Sequence, residues 1–129
     1  MGDKGFHHKR MGVEMRTRLK KTPRIFEVKG HKVKDYGKVY LGDGEMISFV
    51  TASGKECDFA AKDWGFYLGP SLNSRLKKEG FKVALVINEQ GQLYANAVEK
   101  EKMKKFKKYL KTNQDNRIIC WLDEWRMKR

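Results

Sequence analysis

Residues 42–61 read GDGEMISFVTASGKECDFAA, and the turn signals in this stretch decide the fold class. Gly42-Asp43-Gly44 marks a tight turn, because glycine reaches positive φ without steric cost. MISFVT (46–51) is rich in β-branched and aromatic side chains and reads as a strand. Ser53-Gly54-Lys55 marks the next turn. In ECDFAA (56–61), Cys57, Phe59 and Ala61 alternate with Glu56, Asp58 and Ala60, the pattern of a half-buried strand.

Upstream, RIFEV (24–28) and KVYL (38–41) are two more apolar β-forming runs, punctuated by Gly30 and Gly37. The first half therefore reads as an antiparallel β-meander. Residues 1–22 show neither a helical nor a strand period, and Pro23 is taken to open the folded part. The expected organisation is a flexible basic arm over 1–22 and a single domain over 23–129.

Downstream, Pro70 suits a first helical position, Leu72 and Leu76 share a face, and Gly80 is a helix stop. FKVALVIN (81–88) is the most apolar strand and is expected to be central. Asn88-Glu89-Gln90-Gly91 is a hairpin loop, and QLYANAV (92–98) returns antiparallel. Glu99 to about Thr112 reads as a long amphipathic helix with its acids first and its lysines later, matching the macrodipole. RIICWL (117–122) is a last strand, and DEWRMKR a polar end. The fold class is α+β: N-terminal antiparallel β-meander, short helix, β-hairpin, long amphipathic helix and final strand.

The chain has 129 residues with 29 Lys and Arg against 16 Asp and Glu, for a net charge of +13. That excess predicts attraction to polyanions rather than any particular fold. Its distribution is uneven: residues 1–35 carry +7, 36–70 carry −2, 71–112 carry +7 and 113–129 carry +1. No run of 18 apolar residues is present, and the basic N-terminus has no apolar segment of the secretory kind. Cys57 and Cys120 are the only cysteines, both expected to face the core as reduced thiols, which places the protein in the cytoplasm.

The expected helix carries the clearest functional signal. Met103, Phe106 and Leu110 form an apolar stripe, while Lys100, Lys104, Lys107, Lys108 and Lys111 cluster on a separate sector. Lys102 and Lys105 flank the other side. Such a lysine face is either simply solvated or tracks phosphates through counterion release. Arg16, Arg18, Lys20 and Lys21 in the arm add to the same electrostatic footprint.

The stretch KDWGFYLGPSLNSRL (62–76) places Trp64, Phe66 and Tyr67 beside a helix start. Core packing is the expected role of these aromatics. The alternative is a platform on which Trp64 or Tyr67, or Tyr94 elsewhere, stacks bases. Trp64 and Tyr67 with Ser71, Asn73 and Arg75 then form a candidate stacking and anion pocket at a helix N-terminus.

Catalysis has thin support. All three histidines precede residue 32, and no GxSxG, HExxH or GxxxxGK[ST] pattern occurs. Asp58 and Asp63 are the best acid/base candidates, with solubility and turn chemistry the expected reading. His7-His8 beside Lys9 and Arg10 make a poor metal site, and no cofactor is expected. The leading expectation is a small non-catalytic nucleic-acid-binding module, RNA ahead of duplex DNA. The alternatives are an assembly subunit docking on an acidic partner and a phosphate, sugar or nucleotide pocket within 58–75.

Overall fold

The computed structural model describes residues 15–112 and 116–126. Contacts divide the chain into two compact units. One takes residues up to Ser48 together with Asp58–Gly69, and the other takes Phe49–Cys57 with the residues from Pro70 onward.

The first unit opens with a long two-stranded ribbon. Strand β1 runs Arg16–Val28 and strand β2 His31–Tyr40, paired antiparallel from Val28↔His31 to Arg16↔Tyr40. Lys29 and Gly30 join them with φ of 51° and 85°. Two positive φ values in a two-residue loop are the mirror-image turn whose twist matches that of the strands. The expected flexible arm therefore ends sooner than Pro23: residues 16–22 lie in β1, and residues 1–14, with His7 and His8, fall outside the described residues. Local periodicity missed the strand because its pattern alternates cations with little apolar content. Pairing with β2, distant in sequence, supplies what the local signal lacks.

The ribbon carries a large bulge. Leu19 pairs Gly37 and Arg24 pairs Asp35, so Lys20, Lys21, Thr22 and Pro23 oppose Tyr36 alone. Pro23 has no N–H to give a ladder, and a bulge accommodates it. Asp35 fastens the irregular turn of backbone by accepting from the Gly37 N–H at 3.0 Å and from Arg24 Nη2 at 3.2 Å.

Strands β3 (Met46–Val50), β4 (Glu56–Lys62) and β5 (Gly65–Leu68) form a three-stranded sheet in that order. Both expected turns are present. The Glu45 N–H donates to the Gly42 carbonyl at 3.0 Å, and the Gly54 N–H to the Thr51 carbonyl at 2.9 Å. The segment after Lys62 does not lead straight into a helix. Asp63 and Trp64 make a tight turn, and β5 returns along β4 with Lys62↔Gly65 through Phe59↔Leu68.

In the second unit, strand β6 (Phe81–Ile87) lies between β7 (Leu93–Glu99) and β8 (Arg117–Trp121), antiparallel to both. The apolar run is central, as its composition implies. Asn88 closes the β6–β7 loop, its Oδ1 accepting from the N–H groups of Gln90 and Gln92 at 3.0 and 2.8 Å.

Helix α1 spans only Arg75–Lys78, with Leu76 fully buried and Gly80 ending it at φ 100°. Helix α2 runs Met103–Thr112, preceded by a 3-10 turn over Lys100–Lys102. The expected long helix from Glu99 is thus a ten-residue α-helix with a tightened entry. Glu99 is still extended, at φ −67° and ψ 129°, because it is the last residue of β7 and pairs Phe81. Ala84, Val86 and Leu110 form the core, with Phe106, Ile118 and Trp121 packed against it.

The polar chain end is not simply solvated. Asp123 is 3% exposed. Its Oδ1 accepts from the Val83 N–H at 2.9 Å and its Oδ2 from Lys82 Nζ at 3.1 Å. Lys82 also binds Glu124 and lies 4.9 Å from the centre of the Trp121 ring. Neither Cys57 nor Cys120 is in a disulfide, and both are only half-buried, less enclosed than the expected core thiols.

Candidate nucleic-acid interface

The ribbon presents the densest charge of the first unit. Residues 16–40 contain nine Lys and Arg against Glu27 and Asp35. Alternation along a strand puts every second side chain on one face. The register groups Arg16, Arg18, Lys38 and Tyr40 on one face of the outer ribbon, and Lys32 and Lys34 with Ile25 and Glu27 on one face beyond the bulge. The Arg16 guanidinium stands 4.7 Å over the Tyr40 ring, and Arg18 sits directly opposite Lys38. Like charges placed opposite each other destabilise a ladder, and an anion laid across them removes that cost. Glu27 shares a face with Lys32 and Lys34, while Asp35 lies on the other, tied to Arg24. Lys20 and Lys21 are exposed in the bulge, and Arg18 is exposed on the strand.

The Asp35 carboxyl is held below the usual carboxylate range, first by the Gly37 N–H and then by Arg24. It stays ionised to low pH and neutralises one cation of the ribbon.

The aromatics of 62–76 are not core. Trp64 is 68% exposed, Phe66 66% and Tyr67 44%. The expectation that they fill the fold fails because β5 is a short outer strand. Alanines, not aromatics, occupy the buried positions of the facing strand, at Ala60 and Ala61. Trp64 and Tyr67 stack on each other with ring centroids 6.1 Å apart and planes 21° apart. Carboxylates stand nearby: the Asp63 N–H donates to Asp43 Oδ1 at 3.1 Å. Asp58, the other acid/base candidate, accepts from Ser48 Oγ.

Ser71, Asn73 and Arg75 belong to the second unit, and Trp64 and Tyr67 to the first. The expected anion site at the helix start loses its basis in α1 itself. Four residues sum to almost no macrodipole. The Arg75 N–H is already taken by Ser71 Oγ at 3.0 Å, and the Leu76 N–H by the Ser71 carbonyl at 2.9 Å. Asn73 is exposed on the turn before the helix.

Lys104, Lys107, Lys108 and Lys111 are all exposed on α2, and Lys100 on the 3-10 turn before it. Met103, Phe106 and Leu110 point inward, so the sector assignment from helical spacing holds. Among the described residues none of these five lysines has a salt-bridge partner.

Helix spacing puts Lys102 and Lys105 on the other flank, and the tertiary structure gives that flank a shape. Lys102, Lys105 and Tyr109, spaced i, i+3, i+7, line an open groove of about 400 Å³ with Phe106, Asn96 and Glu99. Strand β7 forms its other wall and is an edge of its sheet. Glu99 is tethered by Ser53 Oγ; its carboxyl lies below the usual range through that bond and through Thr51, with Lys102 and Lys55 adding to it. The sequence signal for this groove was Asn96, a polar residue set between Ala95 and Ala97 of β7.

Among the described residues no three His, Cys, Asp or Glu side chains converge as metal ligands. Among the described residues no helix is long and apolar enough to cross a membrane. Comparisons with protein-family models, curated proteins and solved structures find no match.

Proposed function

We propose that the protein is a non-catalytic nucleic-acid-binding module that takes RNA in preference to duplex DNA. The observation that carries this reading is exposed cationic charge in large excess over the acids on regular elements. The ribbon holds nine cations against two acids, and residues 99–112 hold seven lysines against Glu99 and Glu101. Each surface supports affinity by releasing counterions from a phosphate backbone.

Two features favour RNA. The only described helix of more than one turn buries its apolar stripe and offers mainly lysines outside, which contact phosphate as point charges rather than reading base edges. The exposed Trp64–Tyr67 pair suits unpaired bases, which stack on aromatic side chains. The carboxylates of Asp43 and Asp63 beside that pair disfavour phosphate there, so the tip supplies stacking and the cationic elements supply attraction.

Fluorescence anisotropy with a labelled single-stranded RNA, read at 50 and 200 mM salt, tests the reading. Binding at low salt with a steep loss at high salt is the expected result. Absence of binding at low salt ends it.

A further inference from the structure

We propose that the groove between edge strand β7 and helix α2 holds one unpaired nucleotide of a single-stranded RNA. This rests on the reading of the protein as an RNA binder and assigns that activity a specific seat. The base lies against the rings of Phe106 and Tyr109, and the phosphate meets Lys105. Asn96 offers a carboxamide, donor and acceptor together, to a base edge.

Four observations converge on this chemistry. The groove has room for a nucleotide, since ligand sites run from roughly 300 Å³ upward and this one is about 400 Å³. It combines cations with aromatic walls, the pairing by which proteins hold single strands. Tyr109 is 42% exposed, so its ring has area to offer. β7 is also an edge strand, so backbone groups along Asn96–Glu99 line the same wall.

Glu99 sets the polarity of the site. Its carboxylate stays ionised at neutral pH, bound to Ser53 Oγ, at the end of the groove where Thr51 also lies. A phosphate is repelled from that end and is drawn to Lys105, further along the helix. The nucleotide therefore binds with its phosphate away from Glu99. Duplex bases are stacked and paired and cannot reach the aromatic wall, so the groove selects single strands.

The test compares one RNA sequence as a single strand and as a blunt hairpin duplex, for the native chain and for Tyr109→Ala and Tyr109→Phe. Expected are tighter single-strand binding, a loss of about five- to a hundredfold in Tyr109→Ala, and retention in Tyr109→Phe. A native chain that binds neither RNA refutes the RNA reading itself. Equal binding of both RNAs, together with an unaffected Tyr109→Ala, overturns the groove alone. Titration of the native chain with adenosine 5′-monophosphate, followed at the Asn96 side-chain amide by NMR, guards against a misfolded variant. A saturable shift of that resonance supports the groove, and its absence at millimolar nucleotide overturns it.

Discussion

Gly37 and Arg18 approach so closely across the ribbon that a Cβ on the glycine would stand 1.9 Å from the Arg18 carbonyl oxygen. Gly37 also has a φ of 125°, which side-chain-bearing residues rarely adopt. Position 37 therefore takes glycine for two independent reasons, and both sit at the bulge that bends the ribbon.

Gly37→Ala should cost more than about 1 kcal/mol locally and unpair the outer ribbon. Hydrogen exchange should accelerate at residues 17–19 and 38–40 while the β6 amides keep their protection. Unchanged exchange in the ribbon would refute the steric account.

Replacing Trp64 by Ala should change stability by less than about 1 kcal/mol, because the ring is 68% exposed. Leu76→Ala, at a position with no exposure, should cost about 2–5 kcal/mol. Urea unfolding of the two variants distinguishes them. If the same Trp64→Ala protein also loses RNA affinity, the exposed pair is a platform in function as well as in geometry.

Acid should destabilise the second unit through Asp123. Burial alone would raise this carboxyl's pKa, but the Val83 N–H and the Lys82 ammonium outweigh it and the pKa is lowered. A carboxyl with a lowered folded pKa adds stability that is complete above the ordinary range near about 4 and is lost as pH falls through the folded value. Lys82 is raised, chiefly by Glu124, so its contribution is complete at and below its ordinary range and is lost only at strongly alkaline pH. Asp123→Asn should flatten the acid limb of a Tm-versus-pH curve between about pH 5 and 2. A curve parallel to that of the native chain would contradict this.

The lysine face can be counted in solution. Converting Lys104, Lys107, Lys108 and Lys111 to Gln should leave the fold within about 0.5 kcal/mol per site, since all four are exposed. If each meets a phosphate of a single strand, the slope of log K against log salt should fall by about 0.7 per lysine. An unaltered slope would remove α2 from the interface and leave the ribbon as the electrostatic element.

The sequence by itself determined the local features. Gly42-Asp43-Gly44 and Ser53-Gly54-Lys55 form turns, Phe81–Ile87 is the central strand, and Met103, Phe106 and Leu110 face inward from α2. Each follows from backbone preference or periodicity within a few residues. The α+β class follows from their order, and the charge that motivates the functional reading is composition alone.

Tertiary structure decided what depends on distant partners. Arg16–Leu19 became strand because residues 37–40 lie beside them. Trp64, Phe66 and Tyr67 stayed exposed because they lie on the turn into β5 and on β5 itself, the outer strand of its sheet. Asp123 was buried because the Val83 N–H and Lys82 satisfy it. The groove exists only where β7 and α2 meet, joining Asn96 to Tyr109. The physical reason is common to all four: whether a side chain is buried, paired or exposed is set by chain segments brought close in space, and one-dimensional periodicity carries no record of which segments those will be.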